Sequence, residues 1–131
     1  MSVDVIGDFL TIIRNGIMAS KFSVEVPYSK VKHEIAKIFF EEGFVKDLSV
    51  IDEDQIKKSL RIILKYDGNE SVIHEIRRSS KPGRRRYSGA KDIELVIGGL
   101  GLSIISTNRG ILSHKKAQEL NVGGEVICTI W

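Results

Sequence analysis

Residues 106 to 109 read Ser-Thr-Asn-Arg, directly after the apolar run Leu102 to Ile105 and just before Gly110. Hydroxyl and amide groups both donate and accept hydrogen bonds, whereas a guanidinium only donates. Ser106, Thr107, Asn108 and Arg109 therefore form a polar tip on an apolar strand, which suits a binding surface. A second group follows at Gly123-Gly124-Glu125. The two glycines lack side chains, so their backbone can come close to a partner. Glu125 has two readings: it accepts from an exocyclic amine of a partner, or it supports the Ser/Thr loop. A third group is cationic. Seven Lys and Arg fall within residues 77 to 91, with no acid among them. Arg84, Arg85 and Arg86 can each hold a phosphate bidentately. Tyr87 either stacks on a base or anchors the loop to the core.

Other chemistries fit the sequence poorly. His33, His74 and His114 are scattered and do not combine with Cys128 at metal-ligand spacing, so no metal is expected. Gly99-Leu100-Gly101 lacks the third small residue of a dinucleotide fingerprint, because Ile104 stands there and a strand follows. No cofactor is expected. Ser106, His114 and Glu125 offer the residue types of a catalytic triad without a nucleophile elbow. Neither enzymatic activity nor a small-molecule substrate is expected. A phosphate-handling enzyme built on the glycine turns would need a pocket with a general base. Cys128 alternates with Val126 and Ile130 and reads as a small core hydrophobe.

The elements that position these groups must fit into 131 residues with 42% hydrophobic content, enough for one domain or two small lobes. Residues 1 to 76 hold 10 Lys+Arg against 13 Asp+Glu (net −3), and residues 77 to 131 hold 10 against 4 (net +6). A basic second half implies a polyanion partner, either nucleic acid or an anionic membrane surface. No stretch nears the length of a membrane span, and the first twenty residues read as an amphipathic helix, not a leader. With one cysteine, a reducing cytoplasmic setting is expected.

Ile6, Phe9, Leu10, Ile13 and Ile17 predict a first helix; Thr11, Arg14, Asn15 and Met18 lie on its opposite face, either solvated or reaching a partner. Phe22 to Val26 alternates as a strand that Pro27 stops. Ser29 predicts the cap of a second helix with Val31, Ile35, Ile38 and Phe39 as its apolar stripe, ended by Gly43. Lys30/Glu34 and Lys37/Glu41 are spaced for ion pairs on its exposed face. Phe44 to Ile51 and Ser59 to Tyr66 read as strands around an Asp52 to Asp54 turn, with Leu60, Ile62, Leu64 and Tyr66 on one face. The turn cluster Asp67 to Glu70 is the expected boundary. Beyond it come a strand near Val72 to Arg77, the basic loop to Lys91, an apolar stretch at Ile93 to Ile97, a Gly98 to Gly101 turn and the tip strand. A Ser113-capped helix to Leu120, a turn at Asn121 to Gly124 and a strand from Glu125 to Trp131 complete the chain. The expected fold is α/β (α+β) in two small packed lobes. Residues 1–67 form an α-β-α-β-β lobe, and residues 68–131 form a mainly β lobe with a short helix.

Hydroxyls beside cations and an aromatic ring favour folded RNA over simple charge neutralisation. At these residues the chain resembles the bacterial small-subunit (30S) ribosomal protein eight family. The likeness runs through Asp4-x-Ile6-x-Asp8-x-Leu10-Thr11-x-Ile13-Arg14-Asn15, Ser29-Lys30-x-Lys32, Glu42-Gly43-Phe44 and Lys81-Pro82-Gly83 with Arg85 and Tyr87. It continues through Gly99-Leu100-Gly101, Ser106-Thr107-x-Arg109-Gly110 and Gly123-Gly124-Glu125. The chain departs from the family pattern at Ile12, Arg86 and Asn108. The resemblance implies a non-catalytic protein that binds the central domain of 16S rRNA and helps assemble the 30S platform. It also implies contact with small-subunit proteins five and twelve, and repression of an operon mRNA that mimics the rRNA site. Tyr87, Ser106, Thr107, Asn108 and Glu125 are implied as the main contacts, with Arg14 and Lys30 added by the N-terminal lobe.

Overall fold

Asp4 accepts a hydrogen bond from the Gly7 backbone N–H at 3.0 Å and so caps helix α1, Val5–Met18. The apolar stripe expected on α1 is buried at Phe9, Leu10 and Ile13. The computed structural model describes residues 4–52, 57–93 and 100–131. Part of the expected Asp52 to Asp54 turn, most of the Ile93 to Ile97 stretch, and Gly98 and Gly99 lie outside the described residues.

Strand β1 (Ser23–Pro27) ends at its proline, which sits on an edge strand where a missing N–H is tolerated. Helix α2 (Lys30–Glu41) starts where expected, with the Lys32 N–H donating to Ser29 Oγ at 3.2 Å. It stops before Gly43, whose φ is +83°. Its buried stripe differs from the expected one. Val31 is 41% exposed, while Lys32 is buried beside Ile35, Ala36 and Phe39. The lysine stem packs like a hydrocarbon because its ammonium donates to the Pro27 carbonyl at 2.8 Å. Among the described residues the expected Lys30–Glu34 and Lys37–Glu41 ion pairs do not form. On an exposed helix face such pairs gain too little to hold two long side chains in place.

Strands β2 (Val45–Asp52) and β3 (Lys58–Leu64) complete an antiparallel sheet in the order β1-β3-β2. Leu60, Ile62 and Leu64 are buried on one face of β3, as the alternation predicts. Tyr66 leaves that strand and donates its hydroxyl to the Lys21 carbonyl at 2.6 Å. It opens a short hairpin, β4 (Tyr66–Asp67) and β5 (Glu70–Ser71).

Asp8–His74 forms one compact unit, and Met1–Gly7 joins Glu75–Trp131 in the other. The division falls past the expected 67/68 boundary. The β4–β5 hairpin is tied back to its own unit when the Val72 N–H donates to Lys65, whereas Glu75 pairs with Trp131 through two backbone hydrogen bonds of 2.9 and 3.0 Å. The second unit contains β6 (Ile76–Arg78), β7 (Tyr87–Ser88), β8 (Leu102–Thr107), β9 (Gly110–Ser113), helix α3 (His114–Glu119) and β10 (Gly124–Ile130). The sheet order is β6-β10-β8-β9, with β7 also paired to β10. Ile93, Ile105 and Ala117 form a core cluster joined by Leu112, Val122 and Val126. Ser113 caps α3, as expected. His114 is 2% exposed, and its Nδ1 accepts the Ser103 N–H at 3.1 Å.

Arg78 ties three segments of this unit together. It donates to the Ile127 carbonyl at 2.8 Å and to both Asp4 carboxylate oxygens at 3.2 and 3.3 Å. Burial alone would raise the Asp4 pKa, but the hydrogen bonds from Arg78 and Gly7 and the charges of Arg78 and Arg85 outweigh it and lower it. A lowered carboxylate pKa contributes stability above its unfolded value and loses it as pH falls through the folded value. Asp4→Asn keeps a capping oxygen but removes the charge, so urea unfolding should show a stability deficit at about pH 7 that closes in acid. A deficit independent of pH would remove the ion pair from this account. Burial pushes the Cys128 thiol up to about 12, against a smaller opposing pull from Arg78. In native protein Cys128 should resist a thiol reagent and react only after unfolding, which absorbance titration reads directly.

Candidate nucleic-acid interface

Strands β8 and β9 form a tight hairpin in which Thr107 faces Gly110 and Ser106 faces Ile111. Gly110 adopts φ +106°, and the turn is tied by Thr107: its Oγ1 donates to the Gly110 carbonyl at 2.8 Å and accepts the Arg109 N–H at 3.0 Å. The Thr107 hydroxyl is thus committed to the tip's own geometry. Asn108 and Arg109 stand exposed at its end.

Glu125 lies opposite Ser106 on one side and opposite Tyr87 on the other. Directly opposed residues of antiparallel strands project from the same face, so Tyr87, Glu125 and Ser106 form one cross-strand row. Tyr87 is 72% exposed and is not a core anchor. Arg85 Nη1 donates to Glu125 Oε1 at 3.1 Å, with Arg85 about half exposed. Such a pair contributes about 1 kcal/mol or less, so its effect is to position the arginine beside the row. Glu125 supports the basic loop instead of the Ser/Thr turn.

The glycines act inside the protein. A Cβ on Gly124 would overlap the Ser106 carbonyl oxygen and come within 2.8 Å of its carbon; one on Gly123 would overlap the Ser88 carbonyl and meet Gly89 Cα at 2.7 Å. The backbone they admit is the chain's own, at β7 and β8, and not a partner's.

The basic run divides. Arg85 turns toward Glu125, whereas Arg84 and Arg86 line a separate cavity with Lys81. Ser80, fully buried, accepts the Arg86 N–H through its hydroxyl at 3.1 Å and fixes the start of the loop. Ser80 and Thr129 carried no signal in the sequence, and Arg77 and Arg78, which line that cavity with Thr129, counted only as members of the charge run. Arg14, half-buried on α1, and Lys30, exposed at the first position of α2, belong to the other compact unit.

One sheet face thus carries the Tyr87–Glu125–Ser106 row beside Arg85, and the His114 Nδ1 is committed to a backbone N–H. The family model for ribosomal protein S8 matches residues 4–131. Small ribosomal subunit protein uS8 of Mycoplasma capricolum is 50% identical over 131 residues, covering 100% of both chains. That of Ligilactobacillus salivarius is 50% identical over 129 residues, covering 98% of this chain and 97% of its own. That of Flavobacterium psychrophilum is 44% identical over 133 residues with full coverage of both. The chain belongs to the ribosomal protein S8 family, a family of structural ribosomal proteins and not of enzymes.

Gly124→Ala should cost about 1–3 kcal/mol, since the overlap is with backbone that cannot rotate away. Denaturant unfolding measures it; a neutral substitution would show that β8 and β10 can separate without loss.

Proposed function

We propose that this ribosomal protein is a structural constituent of the small ribosomal subunit in the cytoplasm that binds structured RNA through the Tyr87–Glu125–Ser106 row and the Asn108–Arg109 tip. The observation that carries the reading is the row itself. An exposed aromatic ring, a small hydroxyl and a guanidinium held by a carboxylate stand side by side on one sheet face. A ring can stack on a base or ribose, while Ser106 and Asn108 can match 2′-hydroxyls and base edges through both donors and acceptors. The net +6 of residues 77 to 131 supplies long-range attraction to phosphate.

The RNA is the central domain of 16S rRNA, whose folding the protein supports during platform assembly. Arg14 and Lys30 add contacts from the N-terminal unit. Met18 at 78% and Phe22 at 69% exposure give that unit apolar side chains for small-subunit proteins five and twelve. An operon mRNA with the same RNA shape would compete for the row.

Titration of a central-domain RNA fragment tests this. Ser106→Ala with Asn108→Ala should weaken binding at least about tenfold, and Tyr87→Ala should cost about 1–3 kcal/mol. Arg109→Ala should reduce the salt dependence of log K by about 1 across RNA sequences. Unchanged affinity in the first double variant would place the contact surface elsewhere.

A further inference from the structure

The loop joining β6 to β7 leaves the edge of β10 and returns to it. It is clamped at both ends, by the Ser79 N–H on the Ile127 carbonyl at 3.0 Å and the Val126 N–H on the Arg86 carbonyl at 2.9 Å. Within it, Lys81 and Arg84 exchange two backbone hydrogen bonds of 3.0 and 2.9 Å across Pro82-Gly83. This frame borders an open cleft of about 330 Å³ lined by Arg77, Arg78, Ser79, Lys81, Arg84, Arg86 and Thr129, with Lys81, Arg84 and Arg86 exposed to solvent. Among the described residues no carboxylate lines it. Two of the five cations are already neutralised: Arg78 by Asp4 at 3.2 Å, and Arg77 by Glu75 at 2.7 Å while it lies over the Trp131 ring. Lys81, Arg84 and Arg86 form no ion pair among the described residues.

Three cations without a carboxylate partner line one open cleft, where water screens their mutual repulsion and a multivalent anion can meet all three at once. Guanidinium forks match phosphate oxygens bidentately, and the Thr129 hydroxyl adds a neutral donor. The volume lies within the range of about 300–1,000 Å³ found for small-ligand sites. We propose that this cavity is a phosphate-binding cleft that takes two or more linked phosphate groups and is separate from the Tyr87–Glu125–Ser106 row. The cleft goes beyond the proposed function and stands without it, since it uses none of the row's side chains.

Calorimetric titration with sodium tripolyphosphate at about 0.1 M salt tests the cleft. The wild-type protein should bind at one site, and Arg84→Ala with Arg86→Ala should weaken binding at least about tenfold. Arg84→Lys with Arg86→Lys should lose less, because charge is kept and only the fork is removed. Ser106→Ala with Asn108→Ala should leave tripolyphosphate affinity within about twofold, and so should Lys37→Ala with Lys46→Ala, which removes the same charge elsewhere. Thermal melting confirms that each variant folds. No binding by the wild type, or equal losses in the Arg84/Arg86 and Lys37/Lys46 variants, overturns the proposal. Addition of an RNA duplex separates the two sources of phosphate. Displacement of tripolyphosphate that persists in the Ser106/Asn108 variant assigns the cleft to a nucleic-acid backbone; binding of RNA without displacement assigns it to free polyphosphate.

Discussion

The close approach of β10 to β7 and β8 at Gly123 and Gly124 is the constraint on which the rest of the C-terminal unit depends. Only a residue without a Cβ fits against the Ser106 and Ser88 carbonyls. That fit sets the register in which Glu125 faces Ser106 and Tyr87. A slip of one residue along β10 would turn Glu125 to the opposite face and bring Val126 into its place. The row would vanish, and Val126 would leave the cluster of Ile93, Ile105 and Ala117. Burying an aliphatic side chain contributes about 1.5–3 kcal/mol, well above the value of the half-exposed Arg85–Glu125 pair. Apolar burial therefore reinforces the register that the glycines set, and the polar row is carried along with it.

Charge in this unit divides according to whether a carboxylate has been brought to it. Arg78, Arg77 and Arg85 each meet one, at Asp4, Glu75 and Glu125. These three hold segments in place: the start of α1, the end of β6 and the flank of the row. Lys81, Arg84 and Arg86 meet none among the described residues. Sequence position does not separate the two sets, since Arg84, Arg85 and Arg86 are consecutive. Their place in the loop does: Lys81 and Arg84 close the Pro82-Gly83 turn through paired backbone hydrogen bonds, Arg86 is held at Ser80 and Val126, and only Arg85 reaches Glu125.

Features that depend on nearby residues were legible in the sequence. Ser29 and Ser113 cap helices, Gly43 ends one, and Leu60, Ile62 and Leu64 line one face of β3. The polar tip and its turn at Gly110 were legible for the same reason. Features set by distant partners were not. Lys32 is buried because the Pro27 carbonyl receives its ammonium, and no stripe built on apolar residues alone includes a lysine. The role of Gly123 and Gly124 depends on backbone from residues 88, 89 and 106. Two residues of β7 carry too little pattern to announce a strand, yet their pairing with β10 places Tyr87 in the row.

The row draws on residues 87, 106 and 125, and the cavity draws on residues 77 to 86 and 129, so neither exists until β10 has docked. β10 lies among the last eight residues of the chain, and it pairs with β6, β7 and β8 at once. Each of those pairings brings one part of the polar surface into register. Past a register shift between Val126 and Cys128, the same strand buries Ile127, Cys128 and Ile130 almost completely. Docking of one strand thus completes the core and the polar row together, which leaves no folded state of this unit with the core formed and the row unassembled. In the function proposed above, a surface built this way would meet RNA already ordered, so its side chains would lose little further freedom on binding.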